Sequence, residues 1–235
     1  MTGSVVIDCF PESACRYHAE HAIVAIDVIR ATTTATTALS LGRRVFPCQT
    51  TDDAFVLASS LHEPLLVGEL GGNMPFGFDI TNSPALLSAR DDVNRPMILV
   101  SSSGTQLLMN AIGAEAVYVA CLRNLSAVAR YLEGHHQRVA VIGAGTRGRF
   151  RREDQIGCAW LTDKLLTAGY KAENHETIEY VERWKGADLN VIRDGRSADY
   201  LRKSGQTVDL DFILGHIEDL AIVPILINNE LIITR

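Results

Sequence analysis

Short runs of apolar, mostly β-branched residues recur along the chain at positions 4–7, 22–29, 45–47, 65–67, 97–100, 117–119 and 139–142. Segments of helical character follow them at 32–41, 52–61, 105–112, 126–132 and 153–168. Continuous apolar runs, as opposed to alternating ones, mark strands covered on both faces. Strand–helix alternation therefore predicts an α/β fold of three layers, α/β/α, around a mainly parallel sheet. The stretch 67–84 breaks the alternation with four glycines and two prolines, and a loop of that length inside a compact domain is expected to be functional. Beyond Asn174 the pattern turns more polar, with helices expected at 177–184, 198–203 and 210–219, and two last apolar runs at 221–227 and 231–233 are expected to add edge strands.

No internal repeat, low-complexity tract or flexible linker divides the 235 residues. Residues 1–235 read as one domain. A boundary near 124–136 would give two lobes sharing the active-site cleft. The C-terminal apolar runs leave packing within the chain, or between two copies in a homodimer, open.

Composition narrows the function classes. With 47% hydrophobic and 21% charged residues the chain is ordinary globular protein. The net charge of -6 and the absence of a Lys/Arg-rich run argue against a nucleic-acid partner. The cysteines Cys9, Cys15, Cys48, Cys121 and Cys158 form no C-x-x-C pair, so neither a disulfide framework nor a zinc ribbon is indicated. No basic leader and no apolar stretch of about 20 residues is present. The expectation is a cytoplasmic protein with no membrane association.

In an open α/β sheet, ligands gather at the carboxyl ends of the strands. The expected strand ends deliver Asp27 and Arg30, then Glu69, then Ser101–Ser103 with Gly104 and Thr105. The later ones deliver Arg123 and Asn124, and then Gly143–Gly148 followed by Glu153 and Asp154. Carboxylates at such positions suit Mg²⁺, which takes carboxylate oxygens and water, so two or three of Asp27, Glu69, Glu153 and Asp154 are candidate metal ligands. Arg30, Arg123 and Arg147 can fork onto phosphate or carboxylate oxygens, and Gly104-Thr105 opens a helix whose amides favour an anion. Each part also has a structural reading. Asp27 can cap the following helix, Glu153-Asp154 are ordinary first-turn acids, and Arg151-Arg152 reads as a solvated pair.

Gly143, Gly145 and Gly148 form G-x-G-x-x-G after an expected strand, which is the dinucleotide fingerprint. Residues 149–152 intervene before helical character begins, so a phosphate-binding turn is the better use of these glycines. A nucleotide-dependent oxidoreductase is kept as one alternative. Position 29 is Ile, not the second acid of D-x-D, which argues against an aspartyl-phosphate route.

Taken together, Asp27-Val-Ile-Arg30-Ala-Thr-Thr-Thr, Gly68-Glu69, Gly77 to Pro84, Gly104-Thr105, Asn124 and Ala144-Gly-Thr with Glu153-Asp154 resemble the 2-phosphosulfolactate phosphatase family over nearly the whole chain. Ser197, Gly205, Asp209 and Val223-Pro224 continue the likeness. The resemblance implies Mg²⁺-dependent hydrolysis of 2-phosphosulfolactate, a small phosphate ester, to sulfolactate and phosphate, on the route to coenzyme M in methanogens. The expected catalytic residues are Asp27, Arg30, Glu69, Glu153 and Asp154, and the expected substrate-binding ones Asn82, Ser83, Ser103, Gly104, Thr105, Arg123, Asn124, Gly145, Thr146 and Arg147. Two departures stand out. Leu70 follows Gly-Glu where an arginine is expected, and Ser101-Ser102-Ser103 replaces Thr-Thr-Asn. Both touch recognition of the sulfonate or carboxylate more than the phosphoryl chemistry. The expected mechanism is in-line attack of a metal-activated water on phosphorus. The remaining alternative is an anion-binding protein that no longer turns over.

Overall fold

The computed structural model describes residues 3–234. In chain order the elements are β1 (Ser4–Cys9), a 3-10 segment (Pro11–Tyr17), β2 (Ala22–Ile26), α1 (Ala31–Ser40), β3 (Val45–Cys48), α2 (Thr51–Ala58), β4 (Leu65–Gly68) and β5 (Ile80–Thr81). Then come α3 (Pro84–Ser88), β6 (Met97–Val100), α4 (Gly104–Asn110), β7 (Ala116–Ala120), α5 (Leu125–His135), β8 (Arg138–Gly143) and α6 (Arg152–Thr167). The last elements are β9 (Lys171–Ala172), α7 (His175–Trp184), α8 (Asn190–Arg193), α9 (Arg196–Lys203), α10 (Thr207–Gly215), β10 (Pro224–Ile227) and β11 (Glu230–Ile233). The protein is α/β, with a mostly parallel sheet flanked by helices. No helix among the described residues is long and apolar enough to cross a membrane.

The sheet runs in the order β5-β4-β6-β3-β11-β10-β7-β2-β8-β1-β9. It consists of two parallel blocks, β5-β4-β6-β3 and β7-β2-β8-β1-β9. The β10–β11 hairpin joins them, antiparallel to both. The last two apolar runs thus form the centre of the sheet and not its edge. Each has a neighbour on both sides, Ile225 pairing with Tyr118 and Leu231 with Val45, so their hydrophobicity reflects burial between blocks.

Alternation of side chains along the strands separates the cores. Val5, Ile7, Val24, Ile26, Val139 and Val141 pack outward against α5 and α6 through Leu125, Leu132, Ile156 and Leu161. Their neighbours Val6, Ile23, Ala25, Ala140 and Ile142 face the opposite way. They share one core with Ala35 and Ala38 of α1, Leu107 and Leu108 of α4, and Leu65, Met97 and Leu99 of the other block. Helices α1 and α4 therefore lie between the two blocks. Phe46, Ile98 and Val100 pack on the far side against Ala54 of α2.

A helix held between two sheet surfaces must be narrow, and α1 has the sequence ATTTATTALS with residues 31–39 all buried. Its threonines remain compatible with burial because several hydroxyls return to backbone carbonyls. Thr32 donates to Asp27 O and Thr33 to Val28 O, both at 2.8 Å, and Thr37 donates to Thr33 O at 2.7 Å. At about 20–25° of twist per strand, the five steps from β6 to β2 accumulate roughly 100–125°. Although the blocks are antiparallel across the hairpin, their carboxyl ends thereby open onto one cleft.

Candidate active site

The cleft has a volume of about 550 Å³. Its lining comes from the ends of β2 (Asp27, Arg30), β4 (Glu69), β5 (Asn82), β6 (Ser102, Ser103) and β8 (Thr146, Arg147), and α9 closes one side.

Asp27 follows β2 directly and is buried. Burial and the neighbouring Glu69 carboxylate push its carboxyl up to about 7, opposed by the Ala31 N–H that it accepts. The Asp27 backbone N–H donates to Thr32 Oγ1 and the Asp27 C=O accepts the Thr32 N–H and hydroxyl, so Asp27 also steadies the start of α1. Gly104, the first residue of α4, is glycine for a steric reason. A Cβ there would lie 2.5 Å from both Asp27 Oδ2 and Ala31 Cβ.

Glu69 is half-buried and organises the turn that follows it. Its Oε1 accepts the Ser102 N–H at 2.7 Å, and its Oε2 accepts the Gly72 N–H at 2.6 Å and the Ser102 hydroxyl at 3.1 Å. A carboxylate has about four lone-pair sites, so one remains for a ligand. Leu70 is exposed and pairs through its backbone with Asn73, outside the cleft lining.

Arg30 is buried, and its Nη1 donates to Asp209 Oδ2 and Gln206 Oε1, each at 2.6 Å. Asn82 is 1% exposed and its Oδ1 has no hydrogen-bond partner among the described residues. In a native interior such an orphan acceptor calls for an explanation, and Asn82 lines the cleft. The Ser103 hydroxyl makes no cap bond to α4.

Other expected site residues lie outside the cleft lining. Asp154 is a tie between loops, its Oδ1 accepting the Val28 N–H at 2.9 Å and its Oδ2 the Gly145 N–H at 3.0 Å. Burial, with the charges of Asp27 and Glu153, raises its pKa well above the carboxylate range. Glu153 is also buried, with a raised pKa, and accepts a hydrogen bond from Ser197. Arg123 forks onto Asp219 at 3.0 and 2.7 Å and donates to Thr37 Oγ1 at 2.8 Å. Asn124 closes its own turn, accepting the Cys121 N–H and donating to Val119 O and Ile222 O. Ser83 caps α3 and donates to Asp209 Oδ1 at 2.5 Å. Thr105 and Ser101 bond to one another.

Three arginines that the sequence reading did not single out as site residues line the cleft: Arg149, Arg151 and Arg196, together with Ser197 and Tyr200. Arg149 and Arg151 sit beside the glycine-rich turn, and Arg151 reads in sequence as half of a solvated pair with Arg152. Arg196 precedes Ser197, a position marked only by the family likeness. Among the described residues, Arg147, Arg149, Arg151 and Arg196 form no direct ion pair. Their charge is free for an anion.

No group of three or more His, Cys, Asp or Glu side chains is arranged to hold a metal ion among the described residues. Asp27 and Glu69 nonetheless face one cleft, and their like charges repel. Hard carboxylate donors beside open volume for water are the ligand set that Mg²⁺ takes, so these residues fit such an ion.

The sheet and cleft define an α/β protein whose strand ends bring carboxylates and arginines into one cleft. A family model described as 2-phosphosulpholactate phosphatase matches residues 9–229. A Thermotoga maritima protein named probable 2-phosphosulfolactate phosphatase is 31% identical over 235 residues, 99% of this chain and 98% of that one. Proteins of the same name from Deinococcus radiodurans (31% over 211 residues, 88% and 86% of the two chains) and Caldanaerobacter subterraneus (29% over 215 residues, 89% of each) are also similar. The chain belongs to the 2-phosphosulfolactate phosphatase family.

Proposed function

We propose that the protein is a Mg²⁺-dependent phosphatase that hydrolyses 2-phosphosulfolactate, or a closely related small polyanionic phosphate ester, to the alcohol and inorganic phosphate. The observation that carries this reading is the composition of the cleft. Two carboxylates, Asp27 and Glu69, face Arg30 and four arginines without ion-pair partners.

Asp27 and Glu69 would hold the ion. When bound, it neutralises charge on the phosphoryl group and acidifies a water. Arg30, with Nη1 held by Asp209 and Gln206, presents its remaining N–H groups to phosphate oxygens. The Asn82 amide adds a neutral contact from the β5 side. Arg147, Arg149, Arg151 and Arg196 hold the acid end of the substrate and set its orientation, which exceeds what a simple monoester would require. Asp27, with a pKa near 7 in the absence of a cation, can carry a proton on its carboxyl at neutral pH. Positioning and charge neutralisation carry most of the rate in phosphoryl transfer.

The test is phosphate release from a panel of small esters, including 2-phosphosulfolactate and phospholactate, with Mg²⁺ and with EDTA. Mg²⁺-dependent release that favours esters with a second anionic group is expected. Absence of release from every ester would overturn the reading.

A further inference from the structure

Arg30 lines the cleft, and its guanidinium is also held by a network whose members Asp209, Gln206 and Ser83 do not line it. Asp209, on α10, is 1% exposed and uses both oxygens. Oδ2 takes Arg30 Nη1 at 2.6 Å. Oδ1 takes the Ser83 hydroxyl at 2.5 Å and the Ala85 N–H at 3.1 Å. Gln206, just before α10, accepts from the same Nη1 at 2.6 Å. Both acceptors therefore engage one guanidinium nitrogen, and among the described residues Arg30 Nε and Nη2 make no hydrogen bond. A flexible side chain at the start of α1 is thus clamped at one nitrogen with its other donors spared. An arginine fork recognises a phosphate only when its plane is set in advance.

We infer that Asp209, assisted by Gln206, is a positioning residue that orients Arg30 for the phosphoryl group from a site the substrate never touches. The inference rests on the proposed anion-binding role of Arg30. Asp209 lies 179 residues from Arg30 in sequence, and α9 and α10 form a small separate core through Ala198, Leu201 and Leu210, against which Ile29 packs. The Arg30–Asp209 pair consequently couples this C-terminal segment to the phosphate end of the cleft.

A double-mutant cycle tests the coupling, read both as phosphate release and as affinity for inorganic phosphate by titration calorimetry. In Asp209→Asn the single remaining oxygen is drawn to Ser83 and Ala85, which turns an amide N–H towards Arg30 Nη1. Phosphate affinity and kcat/KM are expected to fall about ten- to a hundredfold. In an Arg30→Ala background the same change is expected to have no further effect. Gln206→Met, which leaves the Ser83 and Ala85 bonds in place, serves if Asp209→Asn does not fold. It is expected to give a smaller loss that also vanishes without Arg30. Losses that add across the cycle, or wild-type phosphate affinity in both variants, overturn the inference. A protein that binds phosphate with this coupling but releases none from any ester refutes the enzymatic reading alone. A wild-type protein that does not bind phosphate refutes the positioning role itself.

Discussion

Glu69 grips Ser102 twice, through the backbone N–H at 2.7 Å and the hydroxyl at 3.1 Å, so the loop after β4 is tied to the loop after β6 at the floor of the cleft. The same carboxylate holds the Gly72 N–H, and Tyr200 of α9 sits where a Cβ on Gly72 would go. One acid thus shapes the cleft wall and faces the proposed ion.

Glu69→Gln turns an amide N–H towards donors that Glu69 accepts. A stability loss of about 1–3 kcal/mol is expected, with phosphate release reduced at least tenfold. Thermal melting and the release assay measure the two effects on one preparation. Full activity would remove Glu69 from the proposed ion site.

Gly104→Ala places a methyl against Asp27 Oδ2 and Ala31 Cβ. Overpacking of this kind costs about 1–3 kcal/mol, and relief comes only by moving Asp27 or α4. Activity is expected to fall more than melting temperature would suggest, because the displaced group is the proposed ligand. Unchanged kinetics would show that Asp27 need not stay in place.

Asp154→Ala leaves the Val28 and Gly145 N–H groups without acceptors. Two unsatisfied buried donors cost about 2–6 kcal/mol in total, which chemical denaturation can measure. A change below about 0.5 kcal/mol would mean that water or rearranged backbone replaces the carboxylate.

The Asp27 carboxyl is raised to about 7 from an ordinary value near 3.8. The folded state therefore binds more protons than the unfolded state between those values, and stability falls as pH rises through them. In EDTA the wild-type melting temperature is expected to drop between about pH 4 and 7, and Asp27→Asn to flatten part of that slope. Glu153 and Asp154, also raised, account for the slope that persists. An identical slope in the variant would assign the whole effect to those two.

Arg149→Ala and Arg196→Ala remove exposed guanidinium groups that have no protein partner. For an ester with a second anionic group, KM is expected to rise about tenfold with kcat less affected, as for uniform binding. Salt should mimic the loss, since exposed charges are screened within roughly 8–10 Å at physiological ionic strength. Steady-state kinetics at two salt concentrations checks both. An equal loss of kcat and kcat/KM would move these arginines into the transition state.

Much of the fold was legible in the chain. Seven of the apolar runs became the parallel strands β1–β4 and β6–β8, because burial on both faces demands continuous hydrophobicity whatever the neighbour. The short strands β5 and β9 were missed, since two residues make no periodic signal. Asp27, Glu69 and Arg30 were legible because a strand end places its following residue at the sheet margin.

Tertiary structure decided the rest. Apolarity says that Ile225 and Leu231 are buried, but not that their hairpin sits between two parallel blocks. Arg123 and Arg147 look alike in sequence, yet Asp219 claims the first while no acid reaches the second. Arg149, Arg151 and Arg196 share one cleft only because α9 closes a side of it opposite loops from the strand ends. Local pattern determines which residues leave water and which elements they form. Which charges remain unpaired depends on acids tens of residues distant, and that pairing exists only after the chain has closed on itself.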